Sequence, residues 1–483
     1  MVRRRRIILC VAGVVAMGVT TLAPASAQTR GASPAKINPA MSGALQTVLS
    51  LRSGGASAGA AAIAAPTNPA TLVNNPASDL TSQDTQSETT IVASGGTQAV
   101  VAFNDSGSFS GTSDHFTGYS YSPDGRTWTD MGVLPTDAIG DAGDPSLAYD
   151  SLRGRVYLST LAFNRSDVLR LFTSTDGGQT FGPAVNPAPG NGAGAILDKE
   201  WLTVDNWAGA GQGNAYLAYR DFGGGGGMKF NRSVDGGVTW SNAINLLAND
   251  GQGAWVTVGP DHAVYYFFLS GAANQLKVRK SVDQGLTFGP AVLIVDLLTT
   301  GVNGDLTLGG GFRGNAFMQA VVSSTGVIYG VYNDNPAGVD KGDVYLTTST
   351  DGGATWSVGT KVNDDVGTSD NWQPAVALTP TGTRIAVGYY DRSADPANVL
   401  LQRRIRIGTV GVGGAVTFGA SVSLSPSFPS VIGQDPVINT TYMGDYDQIA
   451  GVGRGFITVW GDNRDSNTFH AHQPDVRRAL VRA

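Results

Sequence analysis

Ser281-Val-Asp283-Gln-Gly-Leu-Thr-Phe288 is one of five near-copies of a single phrase. The others are Ser122-Pro-Asp124-Gly-Arg-Thr-Trp128, Ser174-Thr-Asp176-Gly-Gly-Gln-Thr-Phe181, Ser233-Val-Asp235-Gly-Gly-Val-Thr-Trp240 and Ser349-Thr-Asp351-Gly-Gly-Ala-Thr-Trp356. Four share Ser-x-Asp-x-Gly-x-Thr-aromatic without a gap, and the first lacks one residue. An Asp at a turn accepts hydrogen bonds from backbone amides just downstream, and Gly supplies the positive φ of a tight turn. Thr and the aromatic residue then open a strand, where β-branched and aromatic side chains fit a half-buried pleated surface. The phrase is a hairpin clasp, and Asp124, Asp176, Asp235, Asp283 and Asp351 are read as structural.

The clasp aromatics stand at 128, 181, 240, 288 and 356, with a worn sixth copy at Val416-Thr-Phe418; the spacing averages 58 residues. A repeat of that length signals a propeller or other array. The 412 residues from Leu72 to Ala483 hold about seven such periods. Within each, short alternating runs are separated by Gly, Pro, Asn and Asp, as in Arg384-Ile-Ala-Val-Gly-Tyr-Tyr390, which is the pattern of an all-β repeat. A seventh unit begins near Tyr442 and stops one strand short, and Thr71-Leu-Val-Asn74 is placed to supply the missing strand. The expectation is an all-β propeller of four-stranded antiparallel blades, seven in number, with a six-bladed ring as the alternative.

These phrases resemble the Asp-box (BNR) repeats of the sialidase superfamily of β-propellers, and the resemblance runs from about Leu72 to the end of the chain. It implies clasps on the turns between third and fourth strands, away from the active face. It also implies a glycan-active site of the exo-sialidase kind. Catalytic sialidases use three arginines on a substrate carboxylate, a Tyr nucleophile assisted by a Glu, and an Asp acid/base, with the first Arg in a Phe/Tyr-Arg-Ile-Pro motif. The matching strand here, Glu88-Thr-Thr-Ile-Val-Ala93, carries no arginine, so that triad does not transfer.

Outside the repeat, residues 1–27 read as a secretory signal: Arg3 to Arg6, an apolar stretch from Ile7 to Val19, and Ala25-Ser26-Ala27 before the cut. The expected product is secreted. The lone cysteine, Cys10, lies within that signal, so neither disulfides nor a cysteine metal site is expected. Residues 28–70, rich in Ala, Gly, Ser and Pro, read as a flexible leader with room for a short helix over Met41 to Leu51; 71–483 form one domain. The formal charge of −6 becomes −10 once the four signal arginines are gone, which argues against nucleic acid or an anionic membrane as partner. No cofactor is implied. The acidic loop from Asp334 to Asp343 offers at most weak Ca²⁺ binding.

In a propeller the loops entering innermost strands and leaving second strands meet on one face, around the central channel. Second strands are read as ending in Phe103-Asn104-Asp105, Tyr219-Arg220-Asp221, Tyr332-Asn333-Asp334, Tyr390-Asp391-Arg392 and Gly461-Asp462-Asn463-Arg464. The Asn-Asp pairs suit plain Asx turns. Arg220, Arg392 and Arg464, equivalent positions of three blades, suit an anion clamp, since a planar five-donor fork matches a carboxylate; pairing with neighbouring aspartates is the structural alternative. Innermost strands are preceded by Gln86-Ser-Glu88, Asp141-Ala-Gly-Asp144, Asp198-Lys-Glu200-Trp201, Asp370-Asn-Trp372-Gln373 and Met443-Gly-Asp445-Tyr446. Asp144, Glu200 and Tyr446 are the candidate catalytic groups, with Trp201 and Trp372 as sugar platforms. Two readings result: a secreted glycoside hydrolase favouring an acidic sugar, or a propeller that binds a polysaccharide or protein without turnover.

Overall fold

The computed structural model describes residues 38–53, 70–110, 114–336 and 339–483, with side chains of 50–53 left aside. The expected signal at 1–27 lies outside these residues, as do 28–37 and 54–69 of the leader. Seven antiparallel sheets succeed one another along the chain over 86–133, 146–174, 197–248, 252–296, 319–361, 371–423 and 448–482. They are referred to as blades one to seven. In blade two a single bridge, Leu171 to Val185, stands in for the fourth strand. No helix among the described residues is long and apolar enough to cross a membrane.

The ring closes through its N-terminal strand, as the sequence suggests. Thr71–Leu72 pairs antiparallel with Gln473–Arg482, placing Thr71 opposite Arg478. Val73 N–H donates to the Val476 carbonyl at 2.9 Å. The Asn74 amide donates to Asp475 Oδ1 at 2.7 Å and its oxygen accepts from Val476 N–H at 2.9 Å. The innermost strand of blade seven is Gln448–Val452, so Tyr442 belongs to the connection before it.

Each of the five clasps sits at the end of a third strand, and its hydrogen bonds explain its spelling. In blade four the Ser281 hydroxyl donates to Asp283 Oδ1 at 2.6 Å and accepts from Gly285 N–H at 2.8 Å. Asp283 also accepts from Thr287 N–H at 2.9 Å and from the Thr287 hydroxyl at 2.6 Å. The second glycine has another duty besides its positive φ: it seats the clasp on the preceding blade. A Cβ on Gly178 of blade two would lie 2.0 Å from Val100 Cγ2 of blade one. The aromatic residue then packs across the same joint, as Phe181 does edge-on to Tyr119 with ring centroids 5.1 Å apart.

The Ser281 and Thr287 hydroxyls and the backbone amides hold the Asp283 carboxyl down at about 2. Asp283→Asn is therefore expected to lower stability by about 1 kcal/mol near neutral pH, the ordinary worth of a hydrogen bond partly screened by solvent. With the folded value depressed, the carboxylate's contribution is complete above about pH 4 and disappears as pH falls toward 2. Urea midpoints of wild type and variant should differ at pH 6 and converge at pH 2; a constant difference would refute the assignment.

Blades six and seven carry no intact clasp, and their joint is fastened by charge. Arg403 of blade six pairs with Asp447 at 3.1 Å, both side chains being at most 1% exposed. Asp447 also accepts from the Thr89 hydroxyl of blade one at 2.9 Å and from the Gln373 amide of blade six at 3.1 Å. Its own carbonyl accepts from the Gln319 amide of blade five at 2.7 Å. One aspartate thus ties four blades together at the channel.

Residues 38–53 are placed firmly. The helix expected within Met41 to Leu51 forms over Gly43–Ser53, and Met41, Ser42, Ala44, Leu45, Thr47 and Val48 are all at most 3% exposed. This part of the leader packs on the propeller, its small side chains and backbone polar groups finding partners at the channel mouth.

Candidate active site

The channel mouth is built from kinked strand starts. Glu88, Asp144, Lys199 and Gln373 all have φ between 51° and 55°, and Gly253 and Gly444 take positive φ at the corresponding places in blades four and seven. Four non-glycine residues in the left-handed region is costly, and such strain persists only where the surroundings over-determine it. Register shifts beside Glu88, Lys199, Gly253 and Gln373 show them to be β-bulges, a device that re-aims side chains.

Second-strand asparagines latch these bulges. Asn104 Oδ1 accepts from Asp144 N–H at 2.8 Å, and Asn333 Oδ1 accepts from Gln373 N–H at 3.0 Å. Each joins one blade's second strand to the next blade's innermost strand. Of the aspartates in the same pairs, Asp105 makes the Asx-type contact the sequence suggests, its Oδ1 accepting from Gly107 N–H at 3.1 Å. Asp334 makes no such turn and accepts instead from the distant amides of Leu298 and Thr299 and from that of Asn335. Among the described residues no group of three or more His, Cys, Asp or Glu is arranged to hold a metal ion.

Inside the ring of bulges lies a buried acidic cluster. Glu88 accepts from Asp445 N–H at 3.0 Å through one oxygen and from the Asn104 amide at 3.1 Å through the other. Burial, then the adjacent Asp144 carboxyl, pushes Glu88 well above the usual carboxylate range. Burial takes Asp144 up to about 7, the Asp198 and Glu200 charges adding to it. Like charges in one dry site disfavour joint ionisation, which is why the Asp144 charge adds to the rise at Glu88. Glu200 is fully buried and likewise raised well above its ordinary value by burial. Neither Asp144 nor Glu200 has a hydrogen-bond donor on either oxygen.

Lys199 supplies the opposing charge. Its ammonium pulls down the proton affinities of Glu88, Asp144 and Glu200. It sits 3.7 Å from the ring centre of Tyr446 and 5.1 Å from that of Trp201, close enough for cation–π attraction. Trp201 stacks on Trp255 at 4.0 Å and meets Tyr446 edge-on at 5.6 Å. The Tyr446 hydroxyl donates to the Pro145 carbonyl at 2.9 Å, and burial keeps its proton on. The cavity beneath, lined by Lys199, Trp201, Trp255, Gln319, Gln373 and Tyr446, is about 20 Å³, room for a single water.

The structure thus gathers Asp144, Glu200, Tyr446 and Trp201, and it adds Glu88 and Lys199. It does not bring the three arginines to them as free donors. Arg464 is paired bidentately with Asp462. Arg392, fully buried, pairs with Asp370 at 3.2 Å and donates to the Gly309 carbonyl at 2.5 Å. Arg220 donates to the Asp250 carbonyl at 2.8 Å and lies over Phe222. Trp372 is 2% exposed, stacked on Tyr390 with Arg392 over its face, which makes it core. The arginine at the mouth is Arg313, bidentate to Asp445; it lies in the long connection between blades four and five, where no periodic position points to it.

No family model matches this chain, and neither does any sequence among the curated proteins. Solved structures do resemble it. The Hadza microbial sialidase Hz136 is 16% identical with a TM-score of 0.47, over 74% of this chain and 68% of that one. The NanB sialidase from Streptococcus pneumoniae is 14% identical with a TM-score of 0.43, over 86% and 71%. The intramolecular trans-sialidase from Ruminococcus gnavus is 14% identical with a TM-score of 0.44, over 85% and 97%. At such identities the likeness concerns architecture, and no residue's role is taken from it. In fold, the chain is a β-propeller with seven blades.

Proposed function

We propose that this is a secreted glycan-active propeller, a glycoside hydrolase-like protein working at the channel mouth. The observation that carries the reading is the buried carboxyl cluster: Glu88 and Asp144 beside Glu200, with no hydrogen-bond donor on the oxygens of Asp144 or Glu200. Uncompensated buried carboxyls destabilise a fold, and groups with strongly displaced proton affinities concentrate at functional sites. Glu200, whose proton burial holds more tightly than usual, serves as general acid toward a leaving oxygen; the Glu88–Asp144 pair serves as base. Lys199 offsets the charge of the ionised carboxyl and attracts an acidic sugar. Trp201 and Tyr446 form the apolar floor, and Tyr446, bound through its hydroxyl, acts as floor rather than nucleophile.

The test is hydrolysis by residues 28–483 of fluorogenic sialosides and of acidic and neutral glycans. Glu200→Gln is expected to lower turnover by about 10²-fold, the ordinary loss of a general acid, with little change in binding. Turnover that survives Glu200→Gln would remove this residue from the chemistry. A second reading, a non-catalytic propeller that binds carbohydrate or protein, is favoured by the engagement of Arg220, Arg392 and Arg464 with protein partners. Glycan binding without turnover would select it.

A further inference from the structure

The segment lying on the site is held in an unusual way. Two successive carbonyls and the next amide of the leader are each met by a propeller side chain. The Ala40 carbonyl accepts from the Gln252 and Asn303 amides, both at 2.8 Å. The Met41 carbonyl accepts from Arg313 at 2.7 Å, and Ser42 N–H donates to Asp198 Oδ2 at 2.7 Å. These four side chains come from blades three and four and from the connection after blade four, and they read backbone rather than side-chain identity. On the far side, Asn439 donates to Gln46 Oε1 at 2.9 Å.

The helix then lies against the carboxyl cluster. A Cβ on Gly43 would fall 1.7 Å from the Tyr442 ring, and a Cβ on Gly143 would meet Ala44 Cβ at 3.0 Å and Asn104 Oδ1 at 2.5 Å. Tyr442 and Asn104 are themselves bonded at 3.0 Å, and Asn104 holds both Glu88 and Asp144. The cavity at Lys199, Trp201 and Tyr446 is about 20 Å³, too small for a sugar ring. Beside the helix a cleft of about 510 Å³ remains, with Pro39 and Gln46 on one wall and Phe312 and Arg313 on the other.

The helix adds no strand to the ring. Seventeen residues, 54–70, separate it from the closing strand, a reach of up to about 60 Å when extended. It can therefore leave without opening the ring. At 11 residues it is also too short to stay helical by itself in water, so leaving means unfolding.

We propose that residues 38–53 are a tethered plug: a segment of the chain's own leader bound in a backbone-reading site at the channel mouth, which must depart before a ligand reaches Asp144 and Glu200. The second half of that statement rests on the glycan-active reading; the first does not.

Native-state hydrogen exchange on the wild-type mature chain tests the plug directly. The amides of 42–49 should exchange together, at least 10²-fold faster than those of the innermost strand Gln86–Gly95. Exchange of both sets at one common rate would overturn the proposal. Ala44→Arg, which places a long charged chain where the helix meets Gly143, should release the 42–49 amides by a further 10-fold or more and leave the thermal midpoint of the ring within a few degrees. Leader amides that stay protected, or a ring that melts with them, would also overturn it. Turnover of the glycan panel should rise at least 10-fold in Ala44→Arg. A released plug with no turnover in either protein would leave the plug standing and defeat the glycan-active reading instead.

Discussion

Asp447→Ala is expected to destabilise the ring by about 3–5 kcal/mol, the usual loss when one partner of a buried ion pair is removed. Burial raises the proton affinity of Asp447, yet its carboxylate is kept by Arg403 at 3.1 Å, Thr89 at 2.9 Å and Gln373 at 3.1 Å. Deleting it strands a fully buried guanidinium whose Nε and Nη2 already lack partners, and it unties blades one, six and seven at once. Guanidinium denaturation followed by tryptophan fluorescence provides the measurement. Because a well-packed apolar pair often replaces a buried ion pair without loss, the double substitution Arg403→Met, Asp447→Leu should recover part of the deficit. A single-variant loss below about 1 kcal/mol would show that the joint is held by packing alone.

Asp144→Asn is expected to do the opposite, and to stabilise the protein at neutral pH. Its folded-state value is raised to about 7 against an ordinary 3.8. Below about pH 4 both folded and unfolded chains carry the proton and nothing is lost. As pH rises from there toward 7 the unfolded chain releases a proton that the fold retains, so stability falls through that window and then levels. At about 1.4 kcal/mol per unit, the gain from Asn is a few kcal/mol at most, shared with Glu88. Urea midpoints at pH 4.5 and 7.5 decide it. The wild type should weaken over that interval and the variant should not, whereas parallel behaviour would mean that Asp144 is already neutralised. Loss of turnover together with a gain in stability would mark a residue kept for chemistry at the expense of the fold.

The repeat is legible in the sequence because the clasp is local. Every group that Asp283 binds lies within four residues of it, so the spelling survives without knowledge of the rest of the ring. Closure is legible by subtraction, since a seventh unit short of one strand meets an orphan strand at Thr71-Leu-Val-Asn74. The mouth is only half legible. Asp144 and Glu200 stand at strand starts and can be picked out by position. Glu88 stands at a strand start too, but its role comes from a left-handed bulge, and its neighbour Asp144 is 56 positions away. Lys199 is inconspicuous between two acids. Arg392 and Arg464 occupy the expected register, but their donors are taken up by Asp370 and Asp462, contacts that depend on how loops fold back. Arg403 escapes a reading of loop positions because it sits inside a third strand, and only the closed ring brings Asp447 to it.

The strand that locks the circle has a temporal meaning. Asn74 and Asp475 are 401 positions apart, and a bond across such a separation is entropically costly until the intervening chain is ordered. Six blades can therefore assemble in sequence while the first strand waits unpaired, and the latch engages only when residues 473–482 have been made. A polypeptide that stays open until its final segment emerges is still threadable. The seam that secures the finished ring thus also fixes the last step of its assembly.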